Sequence, residues 1–263
     1  MGHDDFRSSP LRLTVLGSGD ASGIPRPDCQ DPACACARAR RGRGPGRGQS
    51  AALVEAGGIR LAIDTGAGRL DCAALLLTHY HADHAGRAAE FADPGAPLPC
   101  FGPDDGLGEA LWTATESFPA PALAGLAFTP VPPFATVAIG PLRCTAIPLN
   151  HPIPVHGWVI EHGGRRLAWL TDTYGIPARS LEWLVANPCD LLALDTTFAP
   201  GVERAPVKGH GDLPVSLAAL AASGAARGLL IHVGHGCQSW LDLHPDALPA
   251  QVGLSRDGLV IDL

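Results

Sequence analysis

Residues 78 to 84 read THYHADH, and they gather ligand chemistry into seven positions. His79 and His81 stand two apart at the end of an apolar run, so in extended backbone their rings project to the same side. Asp83 and His84 follow where the chain turns into a helical pattern. Imidazole nitrogens and carboxylate oxygens suit Zn, Mn or Fe. Further donors end other apolar runs: His151 in IPLNH, Asp172 in AWLTDT and His232 in LLIHVGH. More donors converge than one tetrahedral ion takes, which points to two metals.

The elements that must position these donors alternate between the two periodicities. LRLTVLGSG reads as a first strand and SAALVEAGGIRLAID as a hairpin turning at Gly57 and Gly58. CAALLLTH is a buried strand entering a polar loop, and HAGRAAEFA has helical character. LPCFG followed by GLGEALWTATESF repeats the order of strand then helix. From 126 to 170 the pattern is strands and turns, including an EHGGRR hairpin. ARSLEWLVAN, CDLLALD, LPVSLAALAASG and GLLIHVGH then alternate helix, strand, helix, strand. The expectation is an N-terminal tail over 1–10 and one mixed α/β domain over 11–263.

Composition narrows the class. The 263 residues, 46% hydrophobic and 17% charged, can bury a sizeable core. No stretch approaches the roughly 18 consecutive apolar residues of a membrane span, and the start of the chain lacks a basic-then-apolar leader, so a cytoplasmic protein with no membrane partner is expected. The net charge of -7 opposes a broad polyanion surface and argues against a nucleic-acid partner. Arginines 38, 40, 41, 43 and 47 form one local basic run, read first as a solvated loop. Cys72, Cys100, Cys144 and Cys189 stand singly in apolar surroundings and read as core. Cys29, Cys34 and Cys36 cluster in CQDPACAC, a Cys-rich loop over 29–36; in a reducing compartment clustered thiols read as metal ligands. A zinc bound for structure takes four ligands, and this cluster offers three.

THYHADH is similar to the HxHxDH signature of the metallo-β-lactamase superfamily, and His151, Asp172 and His232 fall in that family's order. More narrowly, the chain resembles the PhnP family of cyclic-phosphate phosphodiesterases. The resembling pieces are the Cys cluster with CARARR, LLTHYHADH, PLNH, AWLTDT, the HGD at 210–212, and HVGH. The resemblance implies an αββα sandwich of two mixed sheets flanked by helices. It implies one metal on His79, His81 and His151, a second on Asp83, His84 and His232, and Asp172 bridging them, the catalytic ions being Mn or Zn. It also implies that a third ion, a structural zinc, is completed by His235, with Cys237 a rival two residues on. His210 is the implied general acid, and Asp212 stands close enough in sequence to orient its ring. Asp64 and Asp195 read as carboxylates that orient a ligand histidine.

The activity implied is hydrolysis of 5-phosphoribosyl 1,2-cyclic phosphate to ribose 1,5-bisphosphate in phosphonate breakdown. One arginine of the 38–47 run is the expected contact for the 5-phosphate. The expected partner is this small cyclic phosphodiester, and the expected assembly a homodimer. TTFAP after Asp195 lacks a histidine that the family pattern carries, and His156 is an extra one. Two other readings share the motif or fold: a tRNA 3′-processing endonuclease, which would carry a basic arm, and a PqqB-like carrier of cofactor biosynthesis, which would lack the full ligand set.

Overall fold

Leu11, Leu13 and Val15 alternate with more exposed neighbours at the start of the chain, and all three point into one core. This period of two is what a strand needs to cover one face. The computed structural model describes residues 9–39, 46–93, 95–104, 125–202, 205 and 209–263. The first sheet comprises β1 (Arg12–Gly17), β2 (Ala51–Ala56), β3 (Ile59–Ile63), β4 (Ala74–Leu76), β5 (Leu98–Gly102), β6 (Leu126–Pro130) and, at its edge, β14 (Val260–Asp262). Its order is β14-β1-β2-β3-β4-β5-β6. The second comprises β7 (Thr136–Ile139), β8 (Leu142–Pro148), β9 (His156–His162), β10 (Arg165–Leu170), β11 (Leu191–Asp195), β12 (Gly228–Ile231) and β13 (Val252–Leu254), in the order β13-β12-β11-β10-β9-β8-β7.

Each sheet changes from antiparallel to parallel pairing part-way across, at β3 in the first and β10 in the second. Hairpins supply the antiparallel halves, with Gly57-Gly58 and Gly163-Gly164 at positive φ in two of the turns. The central parallel strands β4, β11 and β12 are buried along their whole length because both of their faces are covered. In β11, Leu191 and Ala193 enter the core between the sheets, while Leu192 and Leu194 meet the outer helices. The chain therefore forms two mixed sheets packed face to face with helices outside.

Two hydrogen bonds join the sheets beneath the ends of β4 and β9. The indole of fully buried Trp158 donates to the Leu77 carbonyl at 3.0 Å, and the His156 N–H donates to the Thr78 carbonyl at 2.9 Å. His156 itself is buried, with Nε2 2.9 Å from the Val131 carbonyl, so the extra histidine is a satisfied core residue.

The helices are α1 (Pro32–Ala39), α2 (Ala82–Ala85), α3 (Ala178–Ala186), α4 (Leu213–Ser223) and α5 (His235–Leu243). The helical run expected over HAGRAAEFA is broken: α2 lasts one turn, and a separate 3-10 turn covers Ala88–Phe91. Only Ala74–Leu76 of CAALLLTH pairs as strand. Most of the CQDPACAC stretch expected as loop is helical, because Asp31 accepts from the Ala33 N–H and Pro32 occupies the first turn, where its missing N–H is harmless. The helix expected in GLGEALWTATESF lies outside the described residues. Among the described residues no helix is long and apolar enough to cross a membrane.

Candidate metal centre

Three buried polar residues leave their strands in the left-handed region: Asp64 after β3 (φ 59), Asp172 after β10 (φ 52) and His232 after β12 (φ 55). That conformation is unfavourable for a residue bearing a Cβ, and it concentrates at functional sites. Here each turn swings a side chain over the same end of the two sheets.

Asp64 organises the heptapeptide. Its carboxylate accepts from the Thr78 N–H at 2.8 Å and the Thr78 hydroxyl at 2.8 Å, and lies 2.8 Å from His84 Nδ1. The Thr78 hydroxyl lies 3.1 Å from His79 Nδ1. His151 Nδ1 stands 3.0 Å from the Gly209 carbonyl, a position held open for glycine: φ is 70, and a Cβ there would come within 2.7 Å of that same Nδ1. His232 Nδ1 lies 2.8 Å from the Thr197 hydroxyl. Anchoring one ring nitrogen is how proteins aim the other at a metal.

The aimed atoms form two groups. His79, His81, His151 and Asp172 offer donors within 4.8 Å of one another, as do Asp83, His84, Asp172 and His232. His79 Nε2 lies 3.0 Å from His81 Nδ1 and 3.8 Å from Asp172 Oδ1. On the other side, Asp172 Oδ2 lies 3.1 Å from His84 Nε2 and 3.5 Å from His232 Nε2. Asp172 thus presents one oxygen to each group.

The donor sets fit divalent cations. His84 Nε2 and His232 Nε2 are buried without a hydrogen-bond partner, atoms that a metal would satisfy. Burial and neighbouring imidazoles push His79 well below the ordinary histidine range, and burial pushes His81 and His151 down, so these rings are neutral ligands. Burial opposes charge at His232 too, yet Asp172, Asp83 and Asp195 lift it to about 9. At His84, three carboxylates likewise overcome burial and lift it well above the usual range. Without a cation, the carboxylate-rich group holds protons in its place.

Next to these groups, Asp172, Asp195, His210 and His232 form a third set of donors within 4.8 Å. His210 Nδ1 lies 2.7 Å from Asp195 Oδ2, and the His210 ring stacks on His232 with centroids 4.9 Å apart. Asp212, expected to orient His210, accepts instead from the Val215 N–H at 3.0 Å and caps α4. Asp212 stands at the N-cap of α4, and a residue there directs its carboxylate at the helix's first N–H groups. Asp195 also accepts from Thr197 and Thr173, so one buried carboxylate fixes the loops bearing His210, His232 and Asp172.

At the Cys cluster, Cys29 Sγ and Cys34 Sγ lie 3.2 and 3.6 Å from His235 Nδ1. Cys36 is not brought into this group. It follows Cys34 by two helical positions, about 200° around α1. Cys237, the rival donor, is likewise two positions from His235 in α5; it is buried, and burial pushes its thiol up to about 12. All cysteines among the described residues are free, and Cys100, Cys144 and Cys189 are buried while Cys72 is half-buried.

The arginine run divides. Arg47 is buried, its guanidinium donating to Gln238, the Ser18 hydroxyl and the Ser255 carbonyl. Arg38 donates to the Arg26 and Cys29 carbonyls. Arg47 is thus held by two side chains and one backbone carbonyl, and Arg38 by two backbone carbonyls. Arg40, Arg41 and Arg43 lie outside the described residues.

A family model described as a beta-lactamase superfamily domain matches residues 65–233, more than half of the chain. The chain belongs to the metallo-β-lactamase superfamily. Similar solved structures agree in fold. A diphosphatase from the PhnP family superposes with a TM-score of 0.76 at 21% identity, covering 97% of both chains. Zn(2+)-bound PqqB from Methylobacterium extorquens gives 0.76 at 20% identity over 96% of this chain and all of that one. Human tRNase Z, short form, gives 0.64 at 20% identity over 95% and 98%. No curated protein matches. The superfamily assignment makes the chain a metallo-β-lactamase-fold protein of a hydrolase family.

Proposed function

We propose that this protein hydrolyses a small cyclic phosphodiester, 5-phosphoribosyl 1,2-cyclic phosphate, to ribose 1,5-bisphosphate. The observation that carries the reading is the pair of donor groups sharing Asp172, with His210 held beside them by Asp195. His79, His81 and His151 would hold one divalent cation, Asp83, His84 and His232 the other, with Asp172 between. When bound, such a pair of Mn or Zn ions neutralises phosphoryl charge and acidifies water. Attack by water at phosphorus breaks the bond to the sugar 2-oxygen, and that oxygen must gain a proton. His210 supplies it from Nε2, since Asp195 engages Nδ1.

Several features support a small substrate over tRNA. The chain carries a net charge of -7, Arg38 and Arg47 are occupied, and Arg26 pairs with Asp20. Complete donor groups support catalysis over the binding-only role of a PqqB-like carrier. Cys29, Cys34 and His235 would hold a third ion, a zinc that braces α1 against α5 a few residues from His232.

A substrate panel tests the reading: the cyclic ribose phosphate, a sugar or nucleoside diphosphate, and a precursor tRNA. The cyclic ester should show the highest kcat/KM. Faster cleavage of the diphosphate or of the tRNA would replace the proposed substrate class.

A further inference from the structure

His210 touches both donor groups. Its ring stacks on His232 of the second group and meets His151 of the first edge-on, with centroids 4.9 and 5.0 Å apart. The backbone that carries this ring is held at the preceding residue. Gly209 is buried, and its carbonyl lies 3.0 Å from His151 Nδ1. The other nitrogen of that imidazole, Nε2, faces His81 Nδ1 at 3.4 Å within the first donor group. An ion held on Nε2 leaves the ring hydrogen on Nδ1, the tautomer that donates to a carbonyl. One imidazole therefore joins the first metal position to the peptide bond just ahead of His210.

This approach is closed to any larger residue. Gly209 has φ 70, and a Cβ there would come within 2.5 Å of Pro152 Cδ, 2.7 Å of His151 Nδ1 and 3.0 Å of His151 Cα. A proline ring and a backbone carbon cannot swing aside, so an added methyl would push the two loops apart. Gly201 gives the contrast. It too lies at positive φ, 81, between β11 and α4, yet nothing stands within 4 Å of the place its Cβ would take. Glycine at 209 thus serves a close contact as well as a backbone conformation.

We infer that Gly209 is a positioning residue for His210, through which filling the first metal position orders the loop carrying the acid, an inference that rests on the proposed metal centre and on His210 as its acid. With an ion on His79, His81 and His151, the Nδ1–H of His151 donates to the Gly209 carbonyl, and the Gly209–His210 peptide is set with it.

Hydrogen exchange on the full-length protein, with and without zinc, reads the loop without any substrate. The His210 N–H, which donates to the Ala205 carbonyl at 3.2 Å, is one reporter. Zinc should slow exchange over 209–212 in the wild type, and slow it less in Gly209→Ala at equal zinc content. Unchanged exchange over 209–212 in wild-type protein shown to hold zinc at its catalytic centre would overturn the inference, whichever ester the protein cleaves. Kinetics supply the second arm. At equal metal content Gly209→Ala should lower kcat on esters with poor leaving groups by about 10²-fold, the loss that a misplacement of about 1 Å can bring, with KM moving less. Added to His210→Ala it should cost nothing further, because it acts through that ring. Gly201→Ala should keep kcat near the wild-type value. A wild-type kcat in Gly209→Ala, or a loss that persists in full on the His210→Ala background, would overturn the inference while leaving the proposed hydrolysis standing. A wild type that cleaves no phosphodiester would count against the proposed function, and the exchange result would still decide whether Gly209 ties the loop to the metal.

Discussion

His210 Nδ1 lies 2.7 Å from Asp195 Oδ2, joining the Gly-rich loop before α4 to the end of β11. The pair is separated by 15 residues in sequence, and it assigns the orienting carboxylate to a fully buried aspartate. His210→Ala should lower kcat by roughly 10²- to 10⁴-fold on esters with poor leaving groups, with a smaller loss when the leaving group is good. Steady-state kinetics on the two ester types reads this out. Equal losses on both would deny the acid role.

Asp195 and Asp212 should separate cleanly. Asp195→Asn should lower kcat while KM changes less, because the ring it orients acts on the leaving oxygen. Asp212→Ala should leave kcat near the wild-type value and destabilise the fold by about 1 kcal/mol, the usual cost of an N-cap. Denaturant midpoints and kinetics of the two variants check the assignment.

Metal uptake should depend on pH with a definite sign. In the metal-free protein His232 is held up to about 9 and His84 well above its ordinary range, so both are protonated at neutral pH. A cation must displace those protons. Affinity should therefore rise as pH increases from 6 toward 9, about tenfold per unit for each proton released, and the His232 contribution should level off above about 9. Calorimetry in buffers of different protonation enthalpy counts the protons. An affinity flat across this range would contradict the arrangement of carboxylates around these rings.

Asp64→Ala removes no proposed ligand, yet it releases His84 Nδ1 and both Thr78 donors. Metal affinity should fall by about 10- to 100-fold, and the protein should be less stable because buried donors lose their acceptor. Metal analysis after dialysis, with a thermal melt, measures both.

The metal donors were legible because four of them occupy one heptapeptide and the rest end strongly apolar runs, where only a strand fits. The strands themselves were legible for the same reason: β11, β12 and the Leu167–Leu170 part of β10 are buried on both faces. What stayed hidden was pairing across the chain. Nothing local joins Asp195 to His210, and Asp212 stood nearer in sequence but was drawn to the N–H groups of α4. Cys36 groups with Cys34 when 29–36 is read as a loop, whereas Asp31-Pro32 starts a helix and turns it away. That start was readable as an N-cap followed by proline. Arg47 gave no sign that it would be buried, since its partners Gln238 and Ser255 lie about 200 residues distant.

Two donor groups sharing Asp172 are proposed to form a centre that hydrolyses phosphodiesters. The most direct measurement is turnover of the cyclic ribose phosphate by metal-loaded wild-type protein and by His81→Ala, with circular dichroism confirming that the variant is folded. His81 belongs to the first donor group and is the most exposed of its histidines to lose, so the fold should survive its replacement. The wild type should hydrolyse the ester, and the folded variant should show no hydrolysis above background. Wild-type turnover in the variant, or no phosphodiester hydrolysed by the wild type with either Mn or Zn, would contradict it.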